Sequence, residues 1–259
     1  METLSTPRSV ARNQWLINQG WKDFTIQAAS ADASFRSYWR VQGMYKARPQ
    51  CHILMDAPPA QENSKPFVEV AALLREAGLH SPQIYAEDIK MGFLLLEDLG
   101  SIDFADLEPA ARESHYQDAL NALLQAQSIS CEALPAYTKT LLHDEMQLFS
   151  EWLLGKHLAI AIEGEQAQQW NSTLQLLCDN ALEQPQVFVH RDYHSRNLMV
   201  TQYNSPGIVD FQDAVRGPIT YDLVSLLRDC YWRCPTQLRD ALLGPVSYTH
   251  LTLPTIYSV

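Results

Sequence analysis

The sequence predicts an α+β protein of two lobes, a small β-rich lobe followed by a helical lobe, with a cleft between them. Residues 24–96 contain short β-type segments interrupted by one helical pattern. Residues 103–184 instead carry apolar side chains at the i, i+3, i+4, i+7 spacing of amphipathic helices, and short apolar runs return only after them. We place the β-rich lobe at residues 1–98 and the helical lobe at residues 99–245.

The first lobe opens with an amphipathic segment at residues 9–19 and then combines strands with one helix. The predicted strands, rich in β-branched, aromatic and aliphatic residues, are FTIQAAS (24–30), FRSYWRVQ (35–42), CHILMDAPP (51–59), QIYAEDIK (83–90) and FLLL (93–96). A helix is predicted for PFVEVAALLREAGLH (66–80), because apolar residues recur at helical spacing after Pro66 and the pattern closes at Gly78.

The second lobe is predicted to contain three long helices and several short strands. The helices are EPAARESHYQDALNALLQAQ (108–127), LLHDEMQLFSEWLLGKHL (141–158) and EQAQQWNSTLQLLCDNALEQ (165–184), and the strands are VFV (187–189), NLMV (197–200) and GIVDF (207–211). Trp152 and Trp170 fall on the apolar faces of their helices, so we expect both in the core.

Composition and charge limit the partners. The chain of 259 residues is 46% hydrophobic, enough for a sizeable core, and 19 basic against 30 acidic side chains give a net charge of −11. Such a charge repels phosphate backbones and anionic lipid, so we expect no nucleic acid and no membrane partner. There is no signal-peptide pattern, no membrane-length apolar run and no C-x-x-C pair among the five cysteines. We expect a cytoplasmic monomer with reduced thiols.

A densely charged stretch, HRDYHSRN at residues 190–197, lies between two short apolar runs. We expect it to form a loop between buried strands, which is a rigid mounting for reactive groups. Asp210 follows in GIVDFQD, thirteen residues after Asn197, and can converge with Asn197 and Asp192. Two carboxylates and an amide are oxygen ligands that suit Mg²⁺ shared with substrate phosphates. The spacing matches the H-R-D-x-x-x-x-N loop of kinases.

Phosphoryl transfer gives each of these residues a task. The protein must orient the attacking hydroxyl and neutralise the phosphates, because it does little covalent chemistry itself. Asp192 is the candidate catalytic base, and Asn197 and Asp210 are the candidate Mg²⁺ ligands. The alternative for these residues taken singly is structural, with Arg191 and Asp192 in a salt bridge and Asn197 capping a turn.

On these residues the sequence resembles a known superfamily. HRDYHSRNLM and VDFQDAVRGPITYDLVSLLRD resemble the aminoglycoside phosphotransferase and choline kinase-like enzymes, which have a bilobal protein-kinase-like fold. SADASFRSYWR, ILMDAPP, PFVEVAALLREAGL and GFLLLEDLG are similar to segments of bacterial anomeric kinases of N-acetylmuramate and N-acetylglucosamine, and the resemblance runs from Trp15 to Leu243. It implies an ATP- and Mg²⁺-dependent kinase that phosphorylates the C1 hydroxyl of these amino sugars in peptidoglycan recycling.

The resemblance also implies roles at individual positions. The catalytic base and the two metal ligands match Asp192, Asn197 and Asp210. The segment from Glu97 to Leu99 matches the interlobe segment whose backbone meets the adenine. The turn from Ala31 to Arg36, which includes Ser34 and Phe35, matches the turn that covers the phosphates, although it contains no glycine.

One kinase feature is missing. A kinase normally carries a lysine on its third strand, paired with a helix glutamate, but Met55 and Asp56 stand there, and Glu69 is left without its usual partner. Arg36 or Arg40 can supply the cation to the phosphates, since arginine suits bidentate phosphate contacts. The anomeric kinases share the MDAPP-like segment, so we interpret the absence as a family trait.

The acceptor site is less defined by the sequence. Candidates to face the sugar are Glu145, His194, Arg196, Asp213 and Arg216. Sugar hydroxyls need carboxylate and guanidinium partners, and N-acetylmuramate adds a carboxylate that a cation can meet. For each candidate alone, a surface role or a structural salt bridge is as plausible. Asp222 is interpreted as a helix cap or a brace for the charged loop.

Residues 246–259, VSYTHLTLPTIYSV, do not continue the helical pattern before them and resemble translated sequencing-adapter read-through. We therefore expect a non-native tail that packs poorly, and a helical lobe that lacks its last helices.

Two other functions stay open. The same fold and chemistry can serve an aminoglycoside, choline or another small alcohol as acceptor. The missing lysine and the glycine-free turn are also compatible with a nucleotide-binding pseudokinase, which would bind ATP without turnover.

Overall fold

The computed structural model of the protein describes residues 7–31 and 35–243, and its mixture of helices and strands confirms the predicted α+β class. The chain divides into two compact units, Met1–His115 with Arg196–Gln212, and Tyr116–Ser195 with Asp213–Val259. The first unit thus extends past the lobe boundary placed after residue 98 and takes in a second stretch of chain. The predictions for Ser34 and for the tail at residues 246–259 lie outside the described residues.

The first unit contains a five-stranded antiparallel sheet with the strand order β1-β2-β3-β5-β4. Its elements are α1 (Pro7–Asn18), β1 (Trp21–Ala31), β2 (Ser37–Tyr45), β3 (Arg48–Asp56), α2 (Lys65–Glu76), β4 (Ile84–Asp88) and β5 (Phe93–Glu97). Helix α2 ends at Glu76, four residues before the end of the helix predicted from the sequence. Gly78 adopts a φ of +79°, and the amide of Leu79 turns back to donate to the carbonyl of Leu74 at 2.9 Å.

Helix α1 and the sheet share an apolar core. Its members are Trp15, Leu16, Trp21, Val41, Tyr45, Leu54, Phe93 and Leu95. At the turn into β5, Gly92 has a φ of +71°, and a Cβ atom there would lie 1.8 Å from the carbonyl oxygen of Ala57. Only glycine fits this approach, which holds the end of β3 against the start of β5.

The second unit is mainly helical, with α3 (Pro109–Gln127), which begins in the first unit, α4 (Lys139–Leu148) and α5 (Gly164–Glu183). Its core cluster contains Tyr137, Leu142, Cys178, Val189 and Val215. Helix α4 continues as a π-helix, Phe149–His157, with no buried side chain. Trp152 is 58% exposed, so its predicted place in the core is wrong. A π-helix has i→i+5 hydrogen bonds, and apolar residues spaced for an α-helix no longer share one face in it.

Four short strands and then helix α6 follow α5: β6 (Gln186–Val189), β7 (Leu198–Met199), β8 (Gly207–Ile208), β9 (Val215–Pro218) and α6 (Tyr221–Leu227). β6 pairs with β9 in the second unit, and β7 pairs with β8 in the first. The charged stretch 190–197 is the connection from β6 to β7, as predicted. Within the described part of the chain, no helix combines the length and the apolar character needed to cross a membrane.

Candidate active site

The loop that follows β6 is held by a buried carboxylate on helix α6. Asp222, 1% exposed, accepts hydrogen bonds from the backbone amides of His190 (2.6 Å) and Arg191 (3.1 Å). Burial raises the pKa of Asp222 to about 7, although the two amide hydrogen bonds oppose this rise. Of the two interpretations of Asp222, the brace for the loop is the one that the structure shows.

Arg191 connects the same loop to helix α4. Its guanidinium forms a charge-assisted hydrogen bond with Glu145, which also accepts one from the hydroxyl of Tyr137. The backbone of Arg191 has a φ of +79°, a conformation that costs a non-glycine residue on the order of 1–3 kcal/mol. The hydrogen bonds that Arg191 donates to Asp222 and Glu145 hold this strained conformation in place.

Two further contacts fix the rest of the loop. Tyr193 is buried and donates its hydroxyl to the carbonyl of Ala119 on α3 at 2.8 Å. The amide of Ser195 donates to the carboxylate of Asp229 at 2.9 Å. The side chain of Asp192, between these anchors, is exposed. A carboxylate that solvent can reach, on a backbone fixed on both sides, suits a general base for an incoming hydroxyl.

The two candidate metal ligands lie together in the first unit. The side-chain amide of Asn197 donates to Oδ2 of Asp210 at 3.5 Å, and the amide of Val209 donates to the carbonyl of Asn197 at 3.1 Å. Gln212 donates to the other oxygen, Oδ1 of Asp210, at 2.8 Å. Asp210 has a φ of +62°, and the next residue, Phe211, is buried against Phe67 of α2 with ring centroids 4.8 Å apart. Gln212 was not among the site residues predicted from the sequence.

The chemistry of this pair fits Mg²⁺. Magnesium is usually held in proteins by one or two carboxylates together with substrate phosphates and water. Asp210 and Asn197 supply one carboxylate and one amide oxygen, and the remaining positions would belong to phosphates. Among the described residues, no group of three or more His, Cys, Asp and Glu side chains could hold a metal ion by itself. The arrangement therefore fits a cation shared with a nucleotide and not a closed structural site.

The segment after β5 is braced by an ion pair. Arg40 on β2 donates to both carboxylate oxygens of Asp98, at 2.6 and 2.9 Å, and to the carbonyl of Gly100 at 3.0 Å. Burial alone would raise the pKa of Asp98, but hydrogen bonds from Arg40, Cys51 and Gly100 outweigh it and lower the pKa. Leu99 packs against Gly207 of β8, where a Cβ atom would lie 2.9 Å from Leu99 Cδ1.

Both arginines proposed to replace the strand lysine have carboxylate partners. The guanidinium of Arg40 is engaged by Asp98 through two hydrogen bonds. Arg36 lies 4.0 Å from Glu62, which also accepts a hydrogen bond from the amide of Phe35 at 3.0 Å. The bidentate partner of Arg40 favours Arg36 as the cation for the phosphates, and the roles of Arg36 and Phe35 toward the nucleotide stay predictions.

The strand position itself carries a structural ion pair. Met55 is fully buried, and Asp56, 5% exposed, lies 2.7 Å from Nη2 of Arg8 on α1. The Arg8 guanidinium also covers the ring of Phe93 at 4.1 Å. Glu69 is exposed and lies 3.4 Å from Lys65, one helical turn away on α2. The usual strand-lysine and helix-glutamate pair is therefore absent from the described residues.

The candidate acceptor residues are not equivalent. Glu145 is the partner of Arg191 and Tyr137, which is the structural salt bridge of the two alternatives. His194 packs its ring on Tyr231 with centroids 5.3 Å apart. Arg196 is exposed and lies 3.9 Å from Asp103 in the first unit. In the second unit, the side chains of Asp213 and Arg216 are exposed.

Asp229 also fixes the backbone of the loop, and it was not predicted from the sequence. It stands seven residues after Asp222, close to two helical turns, and both carboxylates accept hydrogen bonds from backbone amides of the loop. The spacing of these two carboxylates in TYDLVSLLRD is the feature of the sequence that could have predicted this second anchor.

The carboxylate of Asp192 on a braced loop, followed along the chain by Asn197 and Asp210, is the residue pattern expected of a kinase-type phosphotransferase. A family model described as "Phosphotransferase enzyme family" matches residues 25–246. The chain therefore belongs to the phosphotransferase enzyme family, and the expected superfamily is confirmed.

Individual relatives agree with this membership. The chain is 45% identical over 233 residues to an N-acetylmuramate/N-acetylglucosamine kinase of Pseudomonas aeruginosa. The aligned region covers 88% of this chain and 68% of that protein. It is 45% identical over 222 residues to the protein of the same name from Pseudomonas putida, covering 85% of this chain and 64% of the relative. The chain thus spans about two thirds of the length of these relatives.

The fold agrees with solved structures. An ADP-bound aminoglycoside phosphotransferase superposes with a TM-score of 0.61 over 95% of this chain and 83% of its own, at 14% sequence identity. At this identity the likeness shows the fold alone, and it confirms the kinase-like fold predicted from the sequence.

Proposed function

We propose that this protein is an ATP- and Mg²⁺-dependent sugar kinase that phosphorylates the anomeric C1 hydroxyl of N-acetylmuramate or N-acetylglucosamine in peptidoglycan recycling. The observation that carries the acceptor is the 45% identity, over 88% of the chain, to a kinase named for these two sugars. The site supports the reaction class, because it presents an exposed Asp192 on a loop with four anchored backbone or side-chain groups.

In the proposed reaction, the C1 oxygen of the sugar attacks the γ-phosphorus of ATP, the bond to the β-phosphate oxygen breaks, and ADP leaves. Asp192 accepts the hydrogen bond and then the proton of the C1 hydroxyl. Orientation supplies most of the catalysis in this chemistry, so the rigid backbone on both sides of Asp192 is the relevant structural feature.

The nucleotide would be held by residues of the first unit. Asn197 and Asp210 would hold Mg²⁺, which when bound neutralises charge on the phosphates. The backbone from Glu97 to Leu99 would meet the adenine, with Arg40 and Asp98 holding this segment in shape. Arg36 is the cation that we assign to the phosphates in place of the missing strand lysine.

On the acceptor side, Arg196 and His194 are the residues that we assign to the sugar. Arg196 is 54% exposed at its side chain, and a guanidinium can meet the lactyl carboxylate of N-acetylmuramate. Glu145 and Asp213 are weaker candidates, because Glu145 is engaged by Arg191 and the carbonyl of Asp213 accepts from Arg191 at 3.4 Å.

A panel of acceptors tests the proposal. ADP release would be measured with Mg²⁺-ATP and N-acetylmuramate, N-acetylglucosamine, choline or an aminoglycoside, with Asp192→Asn as the matched control. The proposal predicts release with the N-acetylated sugars and none above background with the cationic acceptors. ADP release only with choline or an aminoglycoside would show that this compound, and not an amino sugar, is the acceptor. ATP binding without release by any acceptor would favour a pseudokinase.

A further inference from the structure

The loop between α2 and β4, residues 78–83, contacts the hairpin that carries the metal-ligand candidates. The amide of Ile208 donates to the carbonyl of His80 at 2.8 Å, and His80 forms a parallel bridge with Gly207. The side-chain amide of Asn204 donates to the carbonyl of Gly78 at 2.9 Å. All of these residues belong to the first unit. The β7–β8 hairpin, and with it the backbone leading to Asp210, is thus attached to this loop.

The same loop contacts the strand that leads to the adenine segment. The amide of Glu97 donates to the carbonyl of Gln83 at 2.8 Å, and the amide of Gln83 donates to Oε2 of Glu97 at 3.1 Å. Residues 78–83 therefore connect two parts of one unit that the proposed function assigns to opposite ends of the nucleotide.

The side chain of His80 makes this connection directly. Its Nδ1 lies 3.0 Å from the carbonyl oxygen of Tyr203, in the turn of the hairpin, and its Nε2 lies 3.2 Å from Oε1 of Glu97. Both partners accept hydrogen bonds, because one is a carbonyl and the other a carboxylate. A neutral imidazole carries a single N–H and can satisfy only one of them. Which ring nitrogen donates depends on the tautomer, but each lies within hydrogen-bond distance of a partner, one in the hairpin and one at the end of β5.

The charged and titratable groups around His80 come from three elements. Glu97 on β5 faces the imidazole, and Arg75 on α2 lies 4.0 Å from the second oxygen of Glu97 while donating to the carbonyl of Ser81 at 3.1 Å. The phenol of Tyr85 on β4 interacts electrostatically with Glu97 and Arg75. From the hairpin, the group that meets the imidazole is the Tyr203 carbonyl. Glu97 thus lies between the guanidinium of Arg75 and the imidazole of His80.

We propose that His80 is a positioning residue that sets the distance between the β7–β8 hairpin and the segment beginning at Glu97. This rests on the proposed function, in which Asp210 serves the phosphate end of the nucleotide and Glu97 to Leu99 serve the adenine end. A bound nucleotide spans both groups, so its affinity depends on their separation. Loss of either ring contact releases the hairpin or the adenine segment.

The test uses two variants that each keep one amide donor, His80→Asn, whose Nδ2 replaces Nδ1, and His80→Gln, whose Nε2 replaces Nε2 of the ring. We expect the Kd for Mg²⁺-ADP, measured by calorimetry, and the KM for ATP to rise about tenfold in both, with a smaller change in kcat. His143→Gln is the control, because His143 lies on α4 with an ion pair to Asp144 at 3.7 Å and has no part in the nucleotide site. It should leave both values unchanged.

Two outcomes would overturn the proposal. One is a Kd for Mg²⁺-ADP and a KM for ATP in both variants equal to those of the parent. The other is a fall in kcat as large as the rise in KM, because a positioning residue for the nucleotide should change mainly the affinity.

The two proposals fail separately. Nucleotide affinity that depends on His80, together with no phosphorylation of either amino sugar, would support His80 and reject the acceptor. Sugar phosphorylation, together with a Kd and a KM that do not change in the His80 variants, would support the acceptor and reject the role of His80.

Discussion

The carboxylate of Asp222 accepts a 2.6 Å hydrogen bond from the backbone amide of His190, and this contact ties the loop with the candidate base to helix α6. The amide of Arg191 donates to the second oxygen of the same carboxylate at 3.1 Å. Both amides lie just before Asp192, so the position of Asp192 depends on a side chain thirty residues further along the chain.

Removal of the Asp222 carboxylate should destabilise the fold. Asp222→Ala leaves two buried or half-buried amides without an acceptor, and we expect a loss of about 2–4 kcal/mol in the free energy of unfolding, since each unsatisfied group costs about 1–3 kcal/mol. Chemical denaturation measures the loss, and exposed Asp118→Ala on α3 is the control, expected to stay within about 0.5 kcal/mol of the parent. Equal stability of the two variants would contradict the bracing role.

The stability of the parent should depend on pH through Asp222. Its pKa is raised by burial to about 7 from an ordinary 3.8, so the folded state holds a proton that the unfolded state has lost between these values. This contribution to stability is fully present below pH 3.8 and is lost as the pH rises through 7. Between pH 4 and pH 8, the free energy of unfolding should fall less with rising pH in Asp222→Asn than in the parent. Equal pH dependence in the two proteins would contradict this role of Asp222.

The pair formed by Arg40 and Asp98 should control nucleotide affinity. Arg40→Met removes the bidentate contact and leaves a half-buried carboxylate without its cation, so we expect about 1–2 kcal/mol lower stability and a KM for ATP raised severalfold. The double variant Arg40→Met with Asp98→Asn should recover part of both, because no unpaired charge then remains. If Arg40 contacted the phosphates directly, the double variant would recover nothing in KM.

Asp56, at the position of the missing lysine, should matter for stability and not for the nucleotide. Asp56→Asn weakens the 2.7 Å pair with Arg8, and we expect about 1–2 kcal/mol lower stability with a KM for ATP within about twofold of the parent. Denaturation and steady-state kinetics on one preparation give both numbers. A large rise in KM at unchanged stability would show that Asp56 takes part in binding nucleotide.

Asp210 should carry the magnesium dependence of nucleotide binding. We expect Mg²⁺ to strengthen ADP binding to the parent, and Asp210→Asn to remove at least about tenfold of that gain. Calorimetry with and without Mg²⁺ separates this effect from metal-independent contacts. An equal gain in parent and variant would place the metal elsewhere.

Local patterns in the sequence predicted the elements that surround the site. The strand segments appear in the sheet, helix α2 starts one residue before Pro66, and the stretch 190–197 is a loop between short strands. These features follow from side-chain periodicity and from the residues that begin and end helices, which are readable along the chain.

Contacts between distant segments could not be predicted. Arg40 and Asp98 are 58 positions apart, and the sequence left Arg40 equally able to contact phosphates. The pairing of Glu145 with Arg191, 46 positions further along the chain, was equally unreadable, so the sequence offered Glu145 only as a sugar candidate. Trp152 was misplaced because a π-helix begins three residues before it, and no residue pattern marked that change of period.

The central claim is that Asp192 directs phosphoryl transfer to the anomeric hydroxyl of an N-acetylated amino sugar. ³¹P NMR of the product after incubation with Mg²⁺-ATP and N-acetylmuramate tests it most directly, with Asp192→Ala run in parallel. We predict a glycosyl 1-phosphate signal from the parent and none from the variant. A phosphomonoester at another hydroxyl, or equal product from both proteins, would contradict the claim.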